Sequence, residues 1–179
     1  EELIARLEQR NFKESQGFLQ NYYQSRDHRK LVGILWRSYH LREAELHSEQ
    51  KCSDLTRIAD LHYKLGQIDK AESTYKLASD MALQLALEAP AQGDGKKYVS
   101  IGSIYSYACF LAVRGRLEPA TALYERCLGF WEREKEFNFG SGYAGFDYLG
   151  TFLELIKDKD VQLHKRLQSR WQSVFRDRK

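Results

Sequence analysis

The chain has 179 residues, with 42% apolar and 30% charged side chains and a net charge of +3, the composition of an ordinary water-soluble domain with room for one real core. So mild a charge does not by itself call for nucleic acid or a membrane surface, and no apolar run approaches the roughly 18 residues of a membrane span. Two prolines suit a mostly helical protein, and three cysteines without CxxC spacing (Cys52, Cys109, Cys127) read as reduced thiols of a cytoplasmic protein.

The first helix is expected from about Glu2 to Tyr23, marked by Leu3, Ile4, Leu7, Phe18, Leu19 and Tyr22, with irregular points at Asn11 and Gly17. Ser25-Arg26-Asp27 reads as a turn and a helix start, and Leu31, Val32, Leu35, Trp36 and Tyr39 follow at helical spacing. A polar stretch runs from Glu43 to Gln50. Ser53-Asp54 offers an N-cap for a helix to Leu65, which Gly66 stops, since glycine takes the left-handed cap without steric penalty. A long helix is expected from Asp69 to Ala89, and Pro90, Gly93 and Gly95 mark a loop.

From Tyr98 to Val113 no side chain is charged, so the helix over 97–113 should be buried on most sides. Gly115 ends it. Pro119 sits just inside the next helix, where its missing N–H is harmless, and that helix is expected to reach Glu136. Asn138 to Gly145 reads as a glycine- and aromatic-rich loop. Two final helices are expected over Tyr143–Ile156 and Asp160–Arg176. The fold class is all-α, with no strand longer than a few residues.

Two segments match at a shift of 49 residues. Leu55, Ile58, Ala59, Leu61, Gly66, Ile68, Ala71, Tyr75, Ala78 and Met81 align with Ile104, Tyr107, Ala108, Phe110, Gly115, Leu117, Ala120, Tyr124, Cys127 and Phe130. Alanines let two helix backbones approach, and the tyrosines fill the wider space further along. The pattern resembles the tetratricopeptide repeat (TPR), carried by Leu55, Ala59, Tyr63, Gly66, Ala71, Tyr75 and Ala78 in one unit and by Ile104, Ala108, Gly115, Ala120, Tyr124 and Cys127 in the other. The shift exceeds the family's repeat length, which a longer second helix and the loop through Lys97 explain.

The resemblance implies a short right-handed α-solenoid of antiparallel helix pairs over a single domain, 1–179, with pairs at 1–50, 52–89, 98–136 and 143–177. It implies a concave groove lined by the first helix of each pair, with Arg57, Asp60, Lys64, Tyr105, Ser106 and Cys109 as partner-binding residues. Part of the family grips a terminal carboxylate with basic and Asn side chains. Here Asp60 stands where that Asn would be, and the second unit offers no basic residue in its groove helix. The mixed, partly aromatic groove suits an extended or helical peptide with apolar anchors, and Tyr143 and Phe146 of the aromatic loop are further partner contacts.

The other chemistry is weak. Gly140, Gly142 and Gly145 satisfy GxGxxG, but the stretch before them reads as helix rather than the strand a dinucleotide site requires. His40 and His47 would lie roughly 10 Å apart along a helix axis, too far to chelate one ion. No cofactor, metal or catalytic cluster is expected. Residues 157–179 carry eight Lys/Arg against three Asp, with Trp171 and Phe175 interleaved. That stripe binds nucleic acid in one reading, and in the other closes the fold as an amphipathic helix with Val161, Leu163, Leu167, Trp171, Val174 and Phe175 packed inward. The expected function is a protein–protein scaffold or adaptor, part of a larger protein. The alternatives are a peptide-sensing regulatory domain and a nucleic-acid binder.

Overall fold

A computed structural model of the chain describes residues 2–9, 12–41, 49–88, 95–138 and 146–175, and these are all-α apart from one minimal strand pair. The helices are α1 (Glu2–Gln9), α2 (Phe12–Gln24), α3 (His28–Leu41), α4 (Glu49–Lys64), α5 (Ile68–Glu88), α6 (Ile101–Val113), α7 (Leu117–Glu132), α8 (Phe146–Ile156) and α9 (Val161–Phe175). The chain forms two compact units, Glu1–Leu77 and Ala78–Lys179, with α5 beginning in the first and ending in the second.

In the first unit α2 packs on α1 and α3, and α3 on α4. Phe12, Leu19, Tyr23, Leu31, Ile34, Leu35, Ile58 and Leu61 form its buried core. Of the two irregular points expected in the first helical stretch, the one near Asn11 separates α1, ending at Gln9, from α2, beginning at Phe12, whereas Gly17 lies inside α2. The expected N-cap at Ser53-Asp54 falls inside α4, which starts at Glu49. Asp54 is fully buried there and accepts from Gln50 Nε2 at 2.9 Å, so its carboxylate serves a side chain one turn back instead of free backbone amides.

Two helix pairs close by the same turn. At Gly66 (φ +72°) the Gln67 N–H donates to the His62 carbonyl at 2.9 Å and the Gly66 N–H to the Tyr63 carbonyl at 3.0 Å. At Gly115 (φ +78°), 49 residues on, Arg116 donates to Leu111 at 2.9 Å and Gly115 to Ala112 at 3.0 Å. Each glycine is the left-handed residue of a Schellman cap, which satisfies carbonyls the helix end leaves open. The α2–α3 and α8–α9 turns use an Asp instead. Asp27 Oδ1 accepts from the Arg29 and Lys30 amides at 3.0 and 3.1 Å, and Asp160 Oδ1 from the Leu163 amide at 2.9 Å.

In the second unit the α6–α7 pair packs on the α8–α9 pair, with α6 against α8 and α7 against α9. Ten of the thirteen α6 residues are buried, as its lack of charge requires. Tyr124 of α7 is fully buried, stacks on Phe152 of α8 (centroids 4.3 Å, planes 11° apart) and donates its hydroxyl to the Leu149 carbonyl at 3.1 Å. Lys159, in the α8–α9 turn, donates to the Ala112 and Val113 carbonyls that end α6. Helix α7 stops at Glu132, short of the expected Glu136. A 3₁₀ turn, Glu134–Glu136, follows, then Phe137–Asn138, which pairs in parallel with Lys97–Tyr98. Phe137 is buried edge-on against Phe130.

Helix α9 lies on α7 through Arg166–Glu125 (3.1 Å) and the two-pronged Arg170–Glu132 pair (3.0 and 3.0 Å). Leu167 is buried, and Leu163, Trp171, Val174 and Phe175 are half-buried, in line with an inward apolar stripe. Val161 departs from it at 55% exposure. The opposite face, Gln162, Lys165, Ser169, Gln172 and Ser173, is exposed and polar.

Replacing Gly66 or Gly115 by Ala forces a Cβ into a left-handed backbone. Each change is expected to lower stability by about 1 kcal/mol in urea unfolding.

Candidate functional site

On α4, Ser53, Thr56, Arg57, Asp60, Tyr63 and Lys64 recur three and four apart and share one helix face, half-buried at its start and exposed from Asp60 onward. Arg57 is held in place: its Nη1 donates to Gln20 Oε1 at 3.0 Å, and Gln20 Nε2 donates to Ser38 Oγ at 3.4 Å. Asp60 accepts the hydroxyl of buried Tyr75, which ties α5 to α4. Although the residue as a whole is exposed, partial desolvation of its carboxyl beside Tyr75 pushes the Asp60 pKa above the ordinary value, against the pull of the Tyr75 hydroxyl and the Lys64 ammonium. The face therefore carries cation, carboxylate and cation in three successive turns, with Tyr63 beside them.

On α6 the expected residues part company. Tyr105 is 3% exposed, and its hydroxyl accepts the Phe152 amide at 2.9 Å, so it belongs to the core of the second unit. Sequence spacing put it on the groove because an uncharged helix gives no polar side from which to judge direction. Ser106 and Cys109 are half-buried and, with exposed Val113, form the one narrow accessible strip of α6. Burial pushes the Cys109 thiol up to about 11, with the Tyr105 hydroxyl drawing it partly back, so at neutral pH it is not an activated nucleophile. At the 49-residue shift Ser106, Cys109 and Val113 correspond to Arg57, Asp60 and Lys64. The same three positions of each repeat are left accessible. They are mixed-charge on α4 and small or apolar on α6.

Tyr143 and the glycines Gly140, Gly142 and Gly145 lie outside the described residues, and Phe146 is the first residue of α8. Glu43 and His47 also lie outside them. Among the described residues no His/Cys/Asp/Glu group could hold a metal ion, no helix is long and apolar enough to cross a membrane, and the three cysteines are free thiols.

Among the described residues, open grooves also lie elsewhere. One of about 290 Å³ sits at the α2–α3 turn beside Arg26, His28, Arg29 and Leu65. Another, of about 240 Å³, lies where Glu8 and Phe12 face Lys30, Gly33, Ile34 and Arg37. A third, of about 480 Å³, runs between α7 and α9 over Thr121 and Leu163. The first two follow the basic positions 26, 29, 30 and 37, a signal present in the sequence that a search for repeats passes over. No family model, curated protein or solved structure matches the chain.

Because the folded-state pKa of Asp60 is raised, its charged form is disfavoured in the fold. Its unfavourable contribution is present at neutral pH and is relieved as pH falls through that raised value toward the unfolded carboxylate value. Stability of the wild type relative to Asp60→Asn is therefore expected to rise on acidification from pH 7 to about 4, read by urea midpoints at each pH. Tyr105→Phe removes the acceptor of the Phe152 amide and is expected to lower stability by about 1 kcal/mol, read by thermal unfolding.

Proposed function

We propose that this chain is a TPR-like repeat domain, a short right-handed α-solenoid within a larger cytoplasmic protein. In this reading it acts as a scaffold or adaptor that binds a peptide or partner helix. The observation that carries the reading is the repeated geometry. Two helix pairs close with the same glycine turn and the same hydrogen bonds, and both leave the same three positions accessible on their first helix. In the family that helix supplies the partner contacts. The α4 face, with Arg57, Asp60, Tyr63 and Lys64, is the richer of the two, combining a braced guanidinium with an aromatic ring and a second cation. Such a surface suits a peptide with an acidic and an apolar side chain a turn or so apart.

The nucleic-acid reading ranks lower because four of the five described cations of the C-terminal segment have other partners, exposed Lys165 being the exception. Arg166 and Arg170 pair with α7, Lys157 with Glu154, and Lys159 caps α6.

Selection of peptides from a displayed library on the purified domain, followed by calorimetry, tests the proposal. Arg57→Glu with Lys64→Glu is expected to weaken a selected peptide by about tenfold or more. Unchanged affinity in that variant, or a library that yields no binder, would remove the α4 face from the reading.

A further inference from the structure

The outer face of α3 and the turn before it gather four cations. Arg26, Arg29, Lys30 and Arg37 are all exposed, and among the described residues none of the four forms an ion pair. Around α7 and α9, by comparison, Arg133, Arg166 and Arg170 each meet a carboxylate. The nearest carboxylates, Asp27 and Glu8, act on Lys30 without forming an ion pair: Asp27 Oδ1 accepts backbone amides, and Glu8 accepts the Tyr23 hydroxyl at 2.7 Å. Arg26 and Arg37 each donate to a carbonyl, of Tyr22 and of Glu8, which orients the guanidinium without neutralising it.

Between Lys30 and Arg37, about 10 Å apart along the helix, lies Gly33. It is exposed, and a Cβ built on it meets nothing within 4 Å. It leaves open the mouth of the roughly 240 Å³ groove floored by Phe12 and Ile34, with Lys30 and Arg37 at its rim and Glu8, which holds the Tyr23 hydroxyl, on its α1 side. That space admits one aliphatic side chain. The aromatic rings here offer little for base stacking: Arg37 covers Phe12 at 4.1 Å, Arg26 covers Tyr22 at 4.5 Å and Lys30 lies over Tyr23 at 5.2 Å. Cations flanking a small apolar slot match carboxylates flanking an aliphatic residue.

We infer that the outer face of α3 is a second docking surface, which takes an acidic amphipathic helix with one aliphatic side chain seated in the slot at Gly33 between Lys30 and Arg37. It is separate from the α4 face and does not depend on that reading.

The test is fluorescence anisotropy of the whole chain with a labelled helical peptide of Glu and Asp around a single Leu. The same peptide with Lys in place of the acids and a single-stranded RNA serve as comparisons. The acidic peptide is expected to bind in a salt-sensitive manner, the Lys peptide not at all, and RNA more weakly. Arg29→Glu is expected to weaken the acidic peptide by about tenfold, and Gly33→Met, which fills the slot, by at least as much. Neither variant threatens the fold: an acid is favourable in the first turn of a helix, and Met has the higher helix propensity. Arg57→Glu with Lys64→Glu should leave this binding intact. The inference fails if the acidic peptide does not bind, or if both α3 variants bind it as the wild type does. It also fails if the α4 variant alone loses binding, or if RNA binds as tightly and is lost with Arg29→Glu.

Discussion

Enclosing α6 is the constraint on which the second unit depends. A helix with no charged side chain and ten of thirteen residues buried is unstable in water on its own and must find cover on nearly every side. Helix α7 supplies one side through the Gly115 turn, and α8 supplies another through Tyr105, whose hydroxyl accepts the Phe152 amide. Tyr124 then joins α7 to α8 by its stack on Phe152, and α9 closes over α7. Even the end of α6 is served from this arrangement, since the lysine that caps its last carbonyls comes from the α8–α9 turn. The burial of one apolar helix thus specifies where three others lie.

Helices joined by short turns create a second demand, the open carbonyls at each helix end. Basic side chains meet much of it here. Arg37 reaches Glu8 at the end of α1, Arg26 reaches Tyr22 near the end of α2, Lys97 reaches Leu87 near the end of α5 at 3.0 Å, and Lys159 reaches the end of α6. A cation at a helix C-terminus also meets the negative end of the helix dipole. Part of the basic content is therefore architectural, and in 157–179 Lys159 caps α6 while Arg166 and Arg170 pair with α7, so a count of Lys and Arg there says little about nucleic acid. The outer face of α3 differs in that its cations, capping or not, form no ion pair among the described residues.

What the sequence made legible was local. Gly66 and Gly115 announce left-handed caps because few other residues adopt that backbone readily, and the uncharged run before Val113 announces burial. The parts that were not legible depend on residues distant in the chain. Ser53-Asp54 looks like a cap until Gln50 is seen to use the Asp54 carboxylate inside a longer helix. Tyr105 looks like a groove residue until α8 brings the Phe152 amide to it. The pairing of Lys97–Tyr98 with Phe137–Asn138 joins segments about forty residues apart and too short to leave an alternating pattern. Of the candidate site, the α4 face follows from helical spacing alone. The α3 face is written in single-letter charge, but its meaning depends on which cations find partners.

The polar outer face of α9 has a consequence for self-association. Helix pairs that stack side by side use a heterologous contact, and such a contact can continue indefinitely, copy upon copy, into a fibre. An apolar stripe on an exposed helix face would invite that growth. Gln162, Lys165, Ser169, Gln172 and Ser173 present hydrated side chains there, whose desolvation a further layer could not easily offset. The face that looks least informative for binding thereby sets a limit on self-association through α9.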